Sequence, residues 1–177
     1  VKNADAAEVN GRPFINVAGL GFDVAVLKAT EKFKNKYNGM LPYMLGIIDT
    51  LSHLKTMPLT IEHDGVTEKC DSIIMSVGNG QYIGGGMRVA PGSACDDGLL
   101  DVVVVGPVPR RAIPFLLPLF IKGWHVHLPI CRVARVRSAV LRAPGMVVNI
   151  DGRLEAMDEA VFSILPGALR MRRPANP

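Results

Sequence analysis

Apolar positions recur along the chain with two different periods, and the change between them divides it. From Phe22 to about Lys34 they return every three or four residues, with Phe22, Ala25, Val26 and Ala29 on one face. From Leu41 to Leu54 the stripe is Leu41, Met44, Leu45, Ile48, Leu51 and Leu54. Both patterns predict amphipathic helices, the second with Pro42 tolerated in its first turn. From Met57 onward the period is two. Leu59 to His63 alternates, Asp64-Gly65 makes a hairpin turn, and Val66 to Lys69 runs back. Ile73 to Val77 and Leu99 to Val105 are apolar on both faces, which predicts central strands covered on each side.

Phe14 to Val17 is a short strand leading into Gly19-Leu20-Gly21, and Arg110 to Trp124 a proline-interrupted helical segment. Arg132 to Leu141, Val147 to Ile150 and Val161 to Leu165 are further strands, and Val1 to Gly11 is a polar, frayed lead-in. Helices come early, strands later, with no regular βαβ rhythm. The expectation is one α+β domain over residues 1–177, dominated by an antiparallel β-sandwich with two or three helices.

With 49% hydrophobic residues, 177 positions suffice for one buried core. The net charge of +4 suits phosphate, nucleic acid or an anionic membrane without choosing among them. Aromatics are only 6% and form no stacking platform, which counts against nucleic acid. Cys70, Cys95 and Cys131 are scattered and odd in number, so buried, reduced thiols in a cytoplasmic protein are expected. No charged-then-apolar leader opens the chain. Ala112 to Ile121, its most apolar stretch, is about half a bilayer span.

Nucleotide-binding and nucleophile signatures are absent: no P-loop, no third glycine after Gly19-Leu20-Gly21, no Gly-x-Ser-x-Gly. His125 and His127 alternate without further ligands and read as surface or loop histidines. Three segments stand out. Gly78 to Met87 is so rich in glycine that it is either a wide loop or a backbone brought close to another surface. Asp96, Asp97 and Asp101 crowd one turn, either solvated or holding a hard cation through oxygen ligands. Asp151 ends a strand at Gly152, as a hairpin turn or as an exposed general base.

Together these segments resemble the soluble diacylglycerol kinase and sphingosine kinase superfamily, distant kin of NAD kinases. The resemblance rests on Asn79-Gly80-Gln81-Tyr82-Ile83-Gly84-Gly85-Gly86-Met87, Ala90-Pro91, Ala94 and Asp96-Asp97-Gly98-Leu99-Leu100-Asp101. Asn16 with Gly19 to Asp23, Gly39 with Tyr43, Asp151-Gly152 and Leu165 to Arg170 extend it over nearly the whole chain. It implies the C-terminal, lipid-side domain of a kinase that moves the γ-phosphoryl group of Mg-ATP to a lipid hydroxyl. ATP would be bound mainly by an N-terminal domain whose Gly-Gly-Asp-Gly loop has no counterpart here, so the chain alone is expected to be inactive.

The resemblance further implies Asp151 as the base that activates the hydroxyl. Asn79, Gly84, Gly85 and Gly86 are implied at the substrate, and Asp97 with the Ala94 and Leu99 carbonyls at a Mg²⁺ or Ca²⁺ ion. One position departs: Arg153 stands where the family commonly has Glu, with Glu155 two residues on. This keeps a non-catalytic lipid-binding module of the same fold in play. The expected partners are a lipid substrate, an anionic membrane surface met by basic residues near Ile113 to Ile121, and the N-terminal domain. No nucleic acid is expected, a homodimer stays open, and the expected place is the cytoplasm, peripheral to the membrane.

Overall fold

The two-residue period that begins at Met57 becomes an antiparallel sheet that folds over on itself. A computed structural model describes residues 1–39, 41–83 and 86–172. In chain order it contains β1 (Lys2–Val9), β2 (Arg12–Phe14), β3 (Val17–Gly21), α1 (Phe22–Lys34) and α2 (Leu41–Ser52). There follow β4 (Met57–His63), β5 (Val66–Ser72), β6 (Ile74–Gly78), β7 (Tyr82–Ile83), β8 (Met87–Arg88) and β9 (Leu100–Val105). The last are α3 (Ile113–Lys122), β10 (Cys131–Val136), β11 (Ser138–Ile150) and β12 (Arg153–Met171). The main sheet runs β10-β9-β6-β3-β11-β12-β1-β2, and the β4–β5 hairpin joins it through β11.

β11 makes the second layer by changing partners. Val140, Leu141 and Arg142 pair with β4, whereas Asn149 and Ile150 pair with Gly19 and Ala18 of β3. Between these stretches its register against β12 shifts, from Arg142 to Met146. A strand bends at such an irregularity. Leu59 and Ile61 of β4 therefore share one core with Leu20, Met75, Val77, Val102 and Val104. β9, apolar but for Asp101, is buried at every position. Its even residues enter this core, while Val103 and Val105 meet separate clusters on the other face, where Phe120 of α3 packs.

Four expectations change. The lead-in is not frayed: β1 pairs with β12 from Lys2↔Met171 to Val9↔Phe162, and Ala4, Ala6, Ala7 and Val9 are buried. Alanines gave it no apolar signal, but a partner strand nineteen residues long supplies a complete ladder. For the same reason the strand expected over Val161–Leu165 continues through Pro166-Gly167.

The helix faces also differ from expectation. Ala25 is exposed, and Asp23 and Thr30 are buried instead. On α2 the buried residues are the small ones, Pro42, Gly46 and Thr50, while Leu41, Met44 and Ile48 are exposed. Gly46 dictates this, since a Cβ there would lie 2.5 Å from Thr30 Oγ1 and 3.1 Å from the Val26 carbonyl oxygen. The glycine brings the two backbones together and leaves Leu41, Met44 and Ile48 outside, while Leu45, Leu51 and Leu54 of the expected stripe are half-buried. Finally, all three thiols are free as expected, but Cys95 is exposed and the other two only half-buried.

Candidate active site

Asp151 and Gly152 form the turn between β11 and β12, with φ of 47° and 95°. Two left-handed residues match the twist of a tight hairpin. The Asp151 side chain leans over the link between β2 and β3. There Oδ2 accepts the Ile15 N–H at 2.7 Å and Oδ1 the Val17 N–H at 3.0 Å, while the Asn16 N–H is shared at 3.2 and 3.3 Å. A carboxylate has about four acceptor sites, so these four contacts occupy them, and a further donor arriving from the exposed side would displace one half of the long, shared Asn16 bond.

Asn79 sets this cradle. It is fully buried, and its amide donates to the Ile15 carbonyl at 2.6 Å and the Asp5 carbonyl at 3.1 Å. The N–H groups of Asn79 and Gly80 both reach the Asn16 carbonyl, at 2.9 and 2.8 Å. Expected at the substrate, Asn79 instead braces the backbone that holds Asp151. Gly86 lies in the loop between β7 and β8 with φ of 110°, and its N–H donates to the Ile83 carbonyl at 3.1 Å. Gly84 and Gly85 lie outside the described residues. Glu155 shares a strand face with Arg153, but its carboxylate is paired with Arg12.

Sequence reasoning missed the other half of the site. Asp23, in the first turn of α1, is buried, and its Oδ2 accepts from Asn149 Nδ2 at 2.5 Å. Asn149 Oδ1 in turn accepts the Gly152 N–H at 2.8 Å. Gly19, the β3 partner of Asn149, makes room: a Cβ there would lie 2.5 Å from Asp23 Oδ2. The signal was present in Gly19-Leu20-Gly21 followed by a lone carboxylate on the inward face of a helix.

Asp23 is also in the wall of a narrow cavity of about 50 Å³ between the helices and the sheet. Val26, Leu51, Leu54, Ile113 and Phe120 are among its apolar lining, and Tyr43 lies in the same wall. Burial pushes the Asp23 carboxyl above its ordinary range, and the Asn149 hydrogen bond opposes that. Burial and the nearby Asp23 charge push Tyr43 up to about 12, so its hydroxyl stays protonated.

The acidic turn stands on a buried carboxylate. Asp5 Oδ2 accepts the Gly98 N–H and Oδ1 the Gly167 N–H, both at 2.8 Å, and the Asp5 N–H reaches the Cys95 carbonyl at 2.7 Å. Asp96 pairs with Lys2, and Asp97 pairs with Arg135 while accepting the Leu99 N–H at 3.0 Å. Arg135 also lies 3.3 Å from the buried Asp101, so this basic residue is turned to the acidic turn. Ala94 and Leu99 flank the turn, half-buried. Among the described residues no three His, Cys, Asp or Glu side chains cluster to hold a metal. Asp97 with two carbonyls is nevertheless an oxygen-only set of the hard kind.

His125, expected at the surface, is buried. Its ring stacks on Phe120 at 4.0 Å, and Nε2 sits 3.1 Å from the Val89 carbonyl. Burial lowers its pKa below the ordinary 6.5. The unfolded chain therefore takes up this proton at a higher pH than the folded one, so stability is full above about pH 6.5 and falls as the pH drops below it. Melting curves between pH 8 and 5 should show that decline, reduced in His125→Gln.

The tethered carboxylate thus stands on a hairpin turn at the end of two central strands of a β-sandwich-like domain. The chain belongs to the family of the YegS C-terminal NAD kinase beta sandwich-like domain, whose description matches residues 16–173. It is 30% identical over 164 residues to a diacylglycerol kinase of Mycobacterium tuberculosis, covering 92% of this chain and 53% of that one. It is 32% identical over 172 residues to a Pseudomonas aeruginosa protein named "Probable lipid kinase YegS-like", covering 97% and 57%. The crystal structure of a diacylglycerol kinase from Bacillus anthracis shares the fold, with a TM-score of 0.62 at 22% identity over 94% of this chain and 52% of that one. The chain thus spans about half the length of the relatives it matches.

Proposed function

We propose that the chain is the lipid-side domain of an ATP-dependent kinase that phosphorylates the hydroxyl of a diacylglycerol or a related lipid. One observation carries this reading: an apolar cavity has a carboxylate in its wall, Asp23, linked through Asn149 to the turn that exposes Asp151. Acyl tails enter this apolar seam by parting the helices from the sheet, and Asp23 accepts a hydrogen bond from the polar head. Asp151 accepts the proton of the attacking hydroxyl, which takes the place of one half of the shared Asn16 bond on its exposed side. Mg-ATP, held mainly by an N-terminal domain, supplies the phosphoryl group, and transfer then depends on positioning and charge neutralisation.

We infer membrane contact from exposed apolar residues on the two helices, α2 and α3, that contribute to the cavity wall. Met44 and Ile48 of α2, with Phe115 and Ile121 of α3, stand out beside Arg110, Arg111 and Lys122. Apolar groups ringed by bases suit an anionic bilayer surface. No helix among the described residues is long and apolar enough to cross a membrane. Ile48→Asp should weaken sedimentation with phosphatidylglycerol vesicles by roughly tenfold, about the loss of one buried aliphatic side chain.

Asp97, Ala94 and Leu99 would hold a Mg²⁺ or Ca²⁺ ion once Arg135 swings aside, and that charge would brace the 94–99 turn. Millimolar cation should then raise the melting temperature, and Asp97→Ala should remove the rise; equal melting of both proteins across the titration would reject the site.

A non-catalytic lipid-binding module is the second reading, favoured by Arg153 and by the pairing of Glu155 with Arg12. The test is the full-length parent with γ-³²P-ATP, Mg²⁺ and mixed micelles of diacylglycerol, phosphatidylglycerol or a sphingoid base. Label extracted into organic solvent supports the kinase. Lipid binding without any label supports the module.

A further inference from the structure

Asn149 is the only described residue hydrogen-bonded both to the cavity's carboxylate and to the Asp151 turn. It sits near the end of β11, almost fully buried, between Gly19 of β3 and Leu154 of β12. Both ends of its amide are used in the only sense they allow: Nδ2 donates to Asp23 and Oδ1 accepts from Gly152. The orientation is dictated from both sides, since a carboxylate accepts and an N–H donates. Among the described residues Asn149 is the side chain that donates a hydrogen bond to Asp23. Bonds to charged groups in a low-dielectric setting are the strong ones. Gly19 shows how closely the parts fit, because any side chain there would collide with the Asp23 carboxylate.

We propose that Asn149 is a positioning residue that locks Asp23 and the Asp151 turn into one hydrogen-bonded unit, so that a lipid head held at Asp23 presents its hydroxyl to Asp151. This rests on the lipid-kinase reading above. Asn149 touches neither the hydroxyl nor the phosphate; it sets the distance between a recognition group on α1 and a reactive group on the β11–β12 turn. Displacing a reacting group by an ångström costs on the order of a hundredfold in rate. Loss of the link should therefore act on the lipid side of the reaction and leave ATP binding alone.

Two measurements test this. In the first, NMR of the chain follows the Asp23 carboxyl carbon and the Gly152 amide through a pH titration. In the native chain the Gly152 amide should shift with the Asp23 midpoint, because the same side chain bonds both. In Asn149→Ser that response should vanish and the Asp23 midpoint should rise, since the hydrogen bond that opposes the effect of burial is gone. Tyr43, the other titratable group in this wall, remains protonated across the range.

In the second, the full-length parent carrying Asn149→Ser should lose about 10- to 100-fold in kcat/KM for lipid, with the KM for ATP unchanged. Asn149→Asp adds a diagnostic that a merely structural residue would not show. Two carboxylates so close share one proton. That proton restores the bridge at low pH, so lipid turnover should fall as pH rises, on a limb the native enzyme lacks. A Gly152 amide blind to Asp23 in the native chain overturns the proposal, whatever the enzyme does. So does native lipid kcat/KM in both variants. Coupling in the chain with a parent that phosphorylates no lipid overturns the kinase reading, and the positioning role with it.

Discussion

In the full-length parent, Asp151→Asn should lower lipid phosphorylation by about 10² to 10⁴, the usual contribution of a positioned general base. The amide keeps the size of the side chain but cannot take a proton at neutral pH. It also turns one acceptor into a donor, facing the N–H groups of Ile15, Asn16 and Val17 that the carboxylate now receives. A modest fall in melting temperature should accompany the kinetic loss. The two effects separate by measurement: if the cradle alone mattered, kcat would recover at low temperature where the variant is folded. A kcat that stays depressed with an unchanged ATP KM identifies the chemistry. Equal activity of native and variant enzymes would remove Asp151 from the mechanism and favour the binding module.

The largest stability effect should come from a residue remote from the reacting groups. Asp5→Ala removes a buried carboxylate and leaves without partners the part-buried N–H groups of Gly98 and Gly167, each of which now donates to it at 2.8 Å. An unsatisfied buried donor costs roughly 1–3 kcal/mol. Removing a buried charge refunds part of this, and about 2–4 kcal/mol should remain. For a domain of this size that corresponds to roughly 5–15 °C in melting temperature. Asp5→Asn should fall between, because one oxygen survives while the amide opposes the other N–H. Differential scanning calorimetry reads all three. A melting temperature for Asp5→Ala within a degree of native would mean that water satisfies both groups.

Asp5 also shows why part of the site could not be read in advance. Its neighbours are alanines, it lies 93 residues from Gly98 and 162 from Gly167, and no local pattern links them. The same holds for Asp23 and Asn149, which are 126 residues apart. Asp151 was legible because a carboxylate before glycine at the end of an apolar strand has a local meaning. Its cradle was not, because Asn79 and Asn16 join it only through the sheet.

What the chain determines by itself is whatever depends on neighbours a few residues away. The helix at Phe22–Lys34, the Asp64-Gly65 hairpin and the doubly covered β9 follow from periodicity and turn chemistry acting locally. Tertiary structure alone decided which face of α2 looks outward, that the alanine-rich lead-in is a strand, and that Arg135 turns toward Asp97. Each of these is settled by a partner distant in sequence: a glycine that admits another helix, a nineteen-residue strand with open hydrogen bonds, a carboxylate across the sheet. Local propensity is weak beside such contacts, and burial and pairing win where the two disagree.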